Sequence, residues 1–145
     1  MSSRFFPTPQ DAESAFYEAL ERADLEEMMS VWAEDEEIVC VHPTGPRLSG
    51  HDEVRASWAK IFAGGPGARA RITRQVTLSG MMVAVHSVLE EFGVEGETRA
   101  RNAAIATNVY LRSAAGWRML VHHASLAPRQ AETAAPAELA AKILH

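Results

Sequence analysis

The chain has a single cysteine, Cys40, so no internal disulfide can form. It lies mid-strand between two valines and reads as an inert core residue. No apolar run approaches the roughly 20 residues of a membrane span. Met1–Pro7 lacks the charged-then-apolar pattern of a secretion signal, so a cytoplasmic protein with no membrane partner is expected. Lysine is nearly missing: of fourteen basic residues only Lys60 and Lys142 are lysine and twelve are arginine. Arginine's planar fork suits interfaces, although a GC-rich coding bias would give the same enrichment. A concentrated basic face is also missing. The formal net charge is −5, which argues against a nucleic-acid partner.

What is present suits one domain of ordinary size. The chain has 145 residues, 47% hydrophobic and 23% charged, close to the globular average. That length buries roughly two thirds of the unfolded surface.

Thr8-Pro9-Gln10-Asp11 opens a helix, with Thr8 as N-cap and Pro9 at the first position. Ala12, Ala15, Phe16, Ala19, Leu20 and Ala23 form its apolar stripe, and Tyr17 stands beside it. Asp24 restarts the pattern with Glu27 three residues on, a capping box for a second helix carrying Met28, Met29 and Trp32. Glu34-Asp35-Glu36-Glu37 lacks the alternating carboxylates and central glycine of a calcium loop and reads as a solvated turn. Ile38 to His42 is a short strand ending on a histidine and stopped by Pro43. Leu48–Gly50 is a brief second strand. Ser49 is read as the cap of a third helix whose buried face is Val54, Trp58, Ile61 and Phe62. Gly64-Gly65-Pro66-Gly67 ends that helix; it does not follow a strand, so it is no phosphate loop.

From Ala68 the period changes to two. Four strands are predicted: Ala68–Leu78, Met81–Phe92, Thr98–Arg112 and Trp117–Leu126. Their short glycine-bearing connections make an antiparallel meander, and strands this long curl. The fold class is α+β, with three N-terminal helices packed on a strongly curved antiparallel sheet. The domain spans 8–128. The tail 129–145 is alanine-rich; its Ala134–Leu144 part has helical spacing and could equally fray.

Together these features resemble the nuclear transport factor two-like superfamily in its SnoaL-like branch. The resemblance rests on the helix pair Phe16–Trp32 with Ala23-Asp24-Leu25, on Val41-His42-Pro43 followed by Gly45 and Leu48-Ser49-Gly50, and on the helix carrying Trp58. It also rests on Thr107-Asn108-Val109-Tyr110, Gly116-Trp117-Arg118 and His123-Ala124-Ser125. It implies a cone, in which a bent sheet wraps a pocket closed by helices, and a homodimer formed back to back through the sheet. In ketosteroid isomerases of this fold an aspartate-proline ends the first strand and supplies the general base; the matching pair here is His42-Pro43. Their second acid is matched by Asn108, and their helix-one tyrosine falls near Phe16, with Tyr17 one residue on. Trp117–Ser125 is similar to the last strand of the calcium/calmodulin-dependent protein kinase II association domain, an oligomerising module whose pocket arginine is matched here by Ala124.

By that resemblance the even-numbered residues of the last two strands face the pocket: Asn102, Ala104, Ala106, Asn108 and Tyr110, then Arg118, Leu120, His122 and Ala124. Small alanines leave room for a ligand. Neutral-range His42 suits a proton carrier, and Asn108 suits a donor to a developing oxyanion. Tyr17, Trp32, Trp58, Asn102 and His122 are the remaining candidate ligand contacts. His122 and His123 point to opposite faces and no carboxylate offers a third ligand, so no metal site is expected, and no cofactor. On the outward face Arg69, Arg71, Arg99 and Arg101 share parity with Glu91, Glu95 and Glu97, which predicts cross-strand ion pairs. Two functions follow: a small-molecule lyase, isomerase or cyclase of a carbonyl compound, with the ligand as its partner, or a non-catalytic oligomerising module.

Overall fold

The structure, a computed structural model, describes residues 4–34, 37–65, 67–93 and 102–128. Helix α1 (Pro9–Arg22) begins where Thr8 Oγ1 accepts from the Asp11 backbone N–H at 3.1 Å. It ends at Ala23, which adopts a left-handed conformation with φ 52°. Helix α2 (Leu25–Ser30) is capped by Asp24, whose Oδ1 accepts from Glu27 N–H at 3.1 Å. Both starts follow from caps the sequence displays. Two short strands follow, β1 (Val39–Val41) and β2 (Arg47–Ser49), and then helix α3 (His51–Ala63). The cap of α3 is Gly50 at φ 84°, not Ser49 as expected, and no side chain caps this helix. The Ser49 N–H is instead taken by Glu53 Oε1 at 3.0 Å, so Ser49 remains in the strand.

Four long strands complete the fold: β3 (Arg69–Ser79), β4 (Val83–Gly93), β5 (Asn102–Ser113) and β6 (Gly116–Leu126). They form the predicted antiparallel meander within one curved six-stranded sheet of order β2-β1-β6-β5-β4-β3. Strand β1 adds to β6 in parallel, with Cys40 opposite His122. Hairpin signals do not reveal that pairing, because the connection crosses most of the chain. The predicted start of β5 at Thr98 lies outside the described residues, as do Arg99, Arg101, Glu95, Glu97 and the tail 129–145. Of the outward pairs, Arg71 and Glu91 meet at 3.0 Å across β3 and β4.

Two bulges bend the sheet. In β3 the register shifts between Thr73 and Val76, with Arg74 at φ 49°. The second lies where β5 meets β6: Val109 faces Val121 but Tyr110 faces Met119, so Leu120 is the extra residue. The alternation expected along β6 therefore fails beyond it. His122 and Ala124 are buried and His123 is exposed, as parity predicts, but fully buried Met119 takes the inward place beside Tyr110 that parity gave to Leu120.

The core lies between the helices and the inner sheet face. Phe16, Met28, Val31, Trp32, Ile38, Val54 and Met119 are completely buried there. Phe16 is its hub, with edge-on contacts to Trp32 at 6.3 Å and Trp58 at 5.7 Å between ring centres. On the inner face of β4, β5 and β6 a second cluster of small residues, Val88, Ala104, Ala106 and Ala124, packs together.

Gly116 shows how tightly the N-terminal arm is tied in. It sits at φ 90°, and a β-carbon there would stand 2.7 Å from the Phe6 carbonyl oxygen. Gly116→Ala should cost roughly 2–4 kcal/mol through strain and overlap. A thermal melt lowered by about 5 °C or more checks it; an unchanged melting temperature would contradict the packing described.

Candidate functional site

A chain of hydrogen bonds crosses the inner sheet face. His122 Nδ1 lies 2.6 Å from Asn108 Oδ1. Asn108 Nδ2 donates to Tyr17 Oη at 3.0 Å, and Tyr17 donates to Glu90 Oε2 at 2.5 Å. Register explains the meeting: Asn108 of β5 is directly opposite His122 of β6, and α1 lays Tyr17 across both β4 and β5. All four residues are buried, at 8% exposure or less. Polar groups so placed destabilise a core unless paired, and here each has a partner.

The chain has a direction. Asn108 Oδ1 can only accept, so His122 Nδ1 must carry the hydrogen and Nε2 the lone pair. A neutral imidazole agrees with its surroundings. Burial, then the nearby His42 and His123, lower the His122 pKa to about 3. At the other end burial raises Glu90 to about 7, opposed by the Tyr17 hydrogen bond and reinforced by the charge of Glu13. Burial and the Glu90 charge also push Tyr17 far above its ordinary range, so it stays a phenol.

A second cluster adjoins the first. Glu13 stands one helical turn before Tyr17 on α1 and faces the same way. Its Oε2 accepts from Tyr110 Oη at 3.0 Å and lies 2.9 Å from His86 Nδ1, and Gln75 Nε2 donates to its Oε1. The β3 bulge lies beside Gln75 in the strand. Glu13 and Tyr17 also line a cleft of about 380 Å³ between α1 and β3, shared with Ile72 and Gln75.

His42 stands at the end of β1, half-buried. Its ring meets Trp58 edge-on at 4.7 Å, and Trp58 lies 6.4 Å from the His122 ring. Its Nε2 is 3.0 Å from Ser57 Oγ, and that hydroxyl donates to the Val54 carbonyl at 2.9 Å. The single serine hydrogen is thus committed, so His42 Nε2 is the donor and Nδ1 holds the lone pair. Burial lowers the His42 pKa and favours this neutral form. An imidazole held neutral with a fixed lone pair can accept a proton at neutral pH. Cys40, 3.7 Å from His42 Nε2, is pushed by burial and the Glu90 charge up to about 12 and remains a thiol.

The structure brings Tyr17, Asn108 and His122 into direct contact and joins His42 to them through the Trp58 and Phe16 rings. Trp32 is fully buried against Phe16 in the helix-facing core, and Asn102 is exposed at the start of β5. Sequence reasoning missed Glu13 and Glu90 and gave His86 no place in the pocket. The signal was present: His86 and Glu90 share the inward parity of β4 with Ala84 and Val88. Among the described residues no three His, Cys, Asp or Glu side chains form a group able to hold a metal ion. No described helix is long and apolar enough to cross a membrane.

Residues 10–129 match the model of the SnoaL-like domain. Among solved structures, a putative calcium/calmodulin-dependent protein kinase type II association domain from Thiobacillus denitrificans is 40% identical, with a TM-score of 0.79 over 86% of this chain and 98% of that one. A putative dehydratase of the NTF2-like family from Streptomyces avermitilis is 31% identical, with a TM-score of 0.70 over 80% and 91%. A putative ketosteroid isomerase from Parabacteroides distasonis, 18% identical with a TM-score of 0.67 over 83% and 89%, shares the fold. No curated protein matches.

The buried ends of the polar chain make a prediction with two opposite signs. Unfolded His122 takes up its proton near 6.5, whereas the folded group resists until about 3, so its effect on stability is lost as pH falls across that window. Unfolded Glu90 ionises near 4.5 and the folded carboxyl near 7, so stability is lost as pH rises across that interval. The effects are on the order of 5 kcal/mol for His122 and 3 kcal/mol for Glu90. Urea unfolding of the wild type should therefore show opposing slopes that flatten the profile where the windows overlap. Glu90→Gln should remove the alkaline loss alone. Identical pH profiles for the two proteins would refute the assignment.

Proposed function

The chain belongs to the SnoaL-like domain family, and on that premise we propose that it binds a small carbonyl compound and acts on it as a lyase, isomerase or cyclase, with His42 as proton carrier. The observation that carries this reading is the buried, one-directional donor chain His122–Asn108–Tyr17–Glu90. A core built for stability alone gains little from four polar groups under carbon. A pocket that must hold an oxygen while charge develops on it gains much, because fixed donors in a water-poor site need no reorganisation.

In the proposed cycle His42 Nδ1 takes a proton from the carbon beside the carbonyl. Asn108, whose Nδ2 carries a second hydrogen beyond the one given to Tyr17, supplies the donor for the oxygen on which charge grows, and Tyr17, its hydrogen held by Glu90, keeps the amide in place. His42, now imidazolium, returns the proton to a different carbon or to a leaving hydroxyl. Its half-buried place at the end of β1 lets it exchange protons with solvent between turnovers. The small side chains of Ala104, Ala106 and Ala124 and the ring of Trp58 would shape the apolar wall.

A second reading, an oligomerising module, is favoured by the outer sheet face. Leu78, Val85, Val109 and Val121 form one apolar row across four strands, and Leu78 is 69% exposed. Ile105, 44% exposed, lies two rows further on along the same face. A row of this kind, with the Arg71–Glu91 pair at its side, suits a two-fold contact between copies. A dimer through that face leaves the inner face free, so the two readings are compatible unless the assembly is large.

A screen of β-hydroxycarbonyl and enolisable compounds should find a turnover that His42→Ala lowers by roughly a hundredfold or more, with the melting temperature retained. Activity that survives the substitution excludes His42 as proton carrier. Light scattering should give the mass of a dimer, reduced to a monomer by Ile105→Glu. A large ring would favour the association module.

A further inference from the structure

Glu90 has no part in the cycle above, yet it closes the donor chain at its buried end. Four residues linked in series can satisfy one another in only two ways. In the first, His122 Nδ1–H donates to Asn108 Oδ1, Asn108 Nδ2 donates to Tyr17, and Tyr17 donates to an ionised Glu90. In the second, every bond is reversed. A protonated Glu90 donates to Tyr17, Tyr17 donates to Asn108 Oδ1 after the amide has turned over, and Asn108 Nδ2 donates to a bare His122 Nδ1. The imidazole hydrogen must then sit on Nε2. A mixed arrangement, with the proton on Glu90 and the rest unreversed, needs another acceptor for the acid hydrogen. Among the described residues Glu90 has no hydrogen-bond partner but Tyr17.

We propose that Glu90 is a positioning residue that sets the tautomer of His122 from the far end of this chain, so that a proton gained or lost at Glu90 moves the imidazole hydrogen between Nε2 and Nδ1. One proton is taken up in all, on the Glu90 carboxylate. The imidazole loses the Nδ1 hydrogen to water and takes one from water on Nε2 during the brief openings of the core, so it exchanges one proton for another and stays neutral. The consequence for the pocket is a change of character at His122 Nε2, from acceptor to donor. With Glu90 ionised the site presents a lone pair, suited to a ligand hydroxyl; with Glu90 protonated it presents a donor, suited to a carbonyl or enolate oxygen.

The geometry supports the coupling on three counts. The links are short, at 2.6, 3.0 and 2.5 Å. Every member is buried, so water is a poor substitute partner. The titration falls at a useful pH, since burial raises Glu90 to about 7 while His122 stays neutral down to about 3. The groups that surround the switch do not mask it. Facing Glu90 are Tyr17 and Glu13 from α1 and the thiol of Cys40 from β1. Behind Tyr17 stand Asn108 and Tyr110 from β5. Facing His122 are Asn108, His42 and His123, with the rings of Phe16 and Trp58 over it. Tyr17, Tyr110 and Cys40 keep their protons through this range, and Glu13 acts on Glu90 with one sign, by repulsion.

This inference rests on the proposed function only in setting His122 beside a ligand, and its test needs none. Nitrogen-15 spectra of the ligand-free protein, labelled in histidine, report the tautomer directly. His122 should be the Nδ1–H form above the Glu90 titration near pH 7 and shift towards Nε2–H below it. Tyr17→Phe cuts the chain and should abolish the shift, leaving one tautomer population at every pH above the His122 titration. Glu90→Gln should do the same with a smaller perturbation of packing, and covers the case in which loss of the Tyr17 hydroxyl unfolds the protein. A wild-type tautomer that does not change across this range overturns the proposal. So does a shift that persists in Tyr17→Phe or in Glu90→Gln. A barren activity screen would weaken the proposed function and leave this result untouched.

Discussion

Helix α1 buries two polar side chains, Glu13 and Tyr17, on the face where a helix ordinarily buries carbon. Everything else about the site depends on their being satisfied. An unpaired carboxylate under a helix destabilises by several kcal/mol, so the register of α1 against the sheet has little freedom. Glu13 has to meet His86, Tyr110 and Gln75, and Tyr17 has to meet Glu90 and Asn108. Those partners come from β3, β4 and β5, three separate strands. A shift of one residue along α1 would turn both side chains by 100° and break both clusters. The polar interior thus acts as a positional lock on the helix that closes the cone, while Phe16 between the two polar positions supplies the apolar contact. This division of labour fits general experience that burial provides stability and paired polar groups provide uniqueness of arrangement.

The sheet has to curve for those contacts to exist, and its bulges do that locally. The β3 bulge lies beside Gln75, a Glu13 partner. The bulge at Leu120 lies two residues before His122 and restores the inward direction of Met119 next to Tyr110. One irregularity serves each polar cluster. Between them the regular register of β4 and β5 keeps His86 opposite Asn108 and Glu90 opposite Ala104, so that the two clusters share a face without crossing.

Much of the fold was legible because it is written in local chemistry. Thr8-Pro9 and Asp24 state where α1 and α2 begin, and glycine-bearing connections state where hairpins turn. Ser49 misled because a serine three residues before Asp52 looks like a cap, whereas Gly50 alone can take the left-handed φ that the turn from β2 requires. The parallel pairing of β1 with β6 was illegible, since nothing local encodes a partner more than seventy residues away. The site divided in the same way. Alternation put Asn108 and His122 in the even sets of their strands, and the family resemblance marked those sets as the inward ones. Glu13 was passed over because it lies beside the apolar stripe of α1 and looks like any helix-surface carboxylate. Glu90 was passed over because only its outward neighbour Glu91 was weighed, although alternation sends Glu90 inward while Glu91 meets Arg71 outside.

His42 and His122 are the same residue type, and their surroundings suit them to the two different roles proposed for them. Both are kept neutral by burial, but to different depths. His42 is half-buried and anchored by a serine whose own hydrogen is spent on the helix backbone, so its lone pair is fixed by a local, pH-insensitive bond. His122 is almost wholly buried and anchored by an amide that can turn over, so its lone pair is fixed only as firmly as the chain behind it. A proton carrier must exchange with solvent and keep one orientation through many cycles, and the half-buried, serine-anchored place of His42 suits that proposed role. A group that adjusts the polarity of a pocket must be shielded from solvent and answer to a distant charge, and the buried place of His122 behind a reversible amide suits that proposed role. The roles differ because a hydroxyl bound to a helix carbonyl has one arrangement and an amide between two buried partners has two.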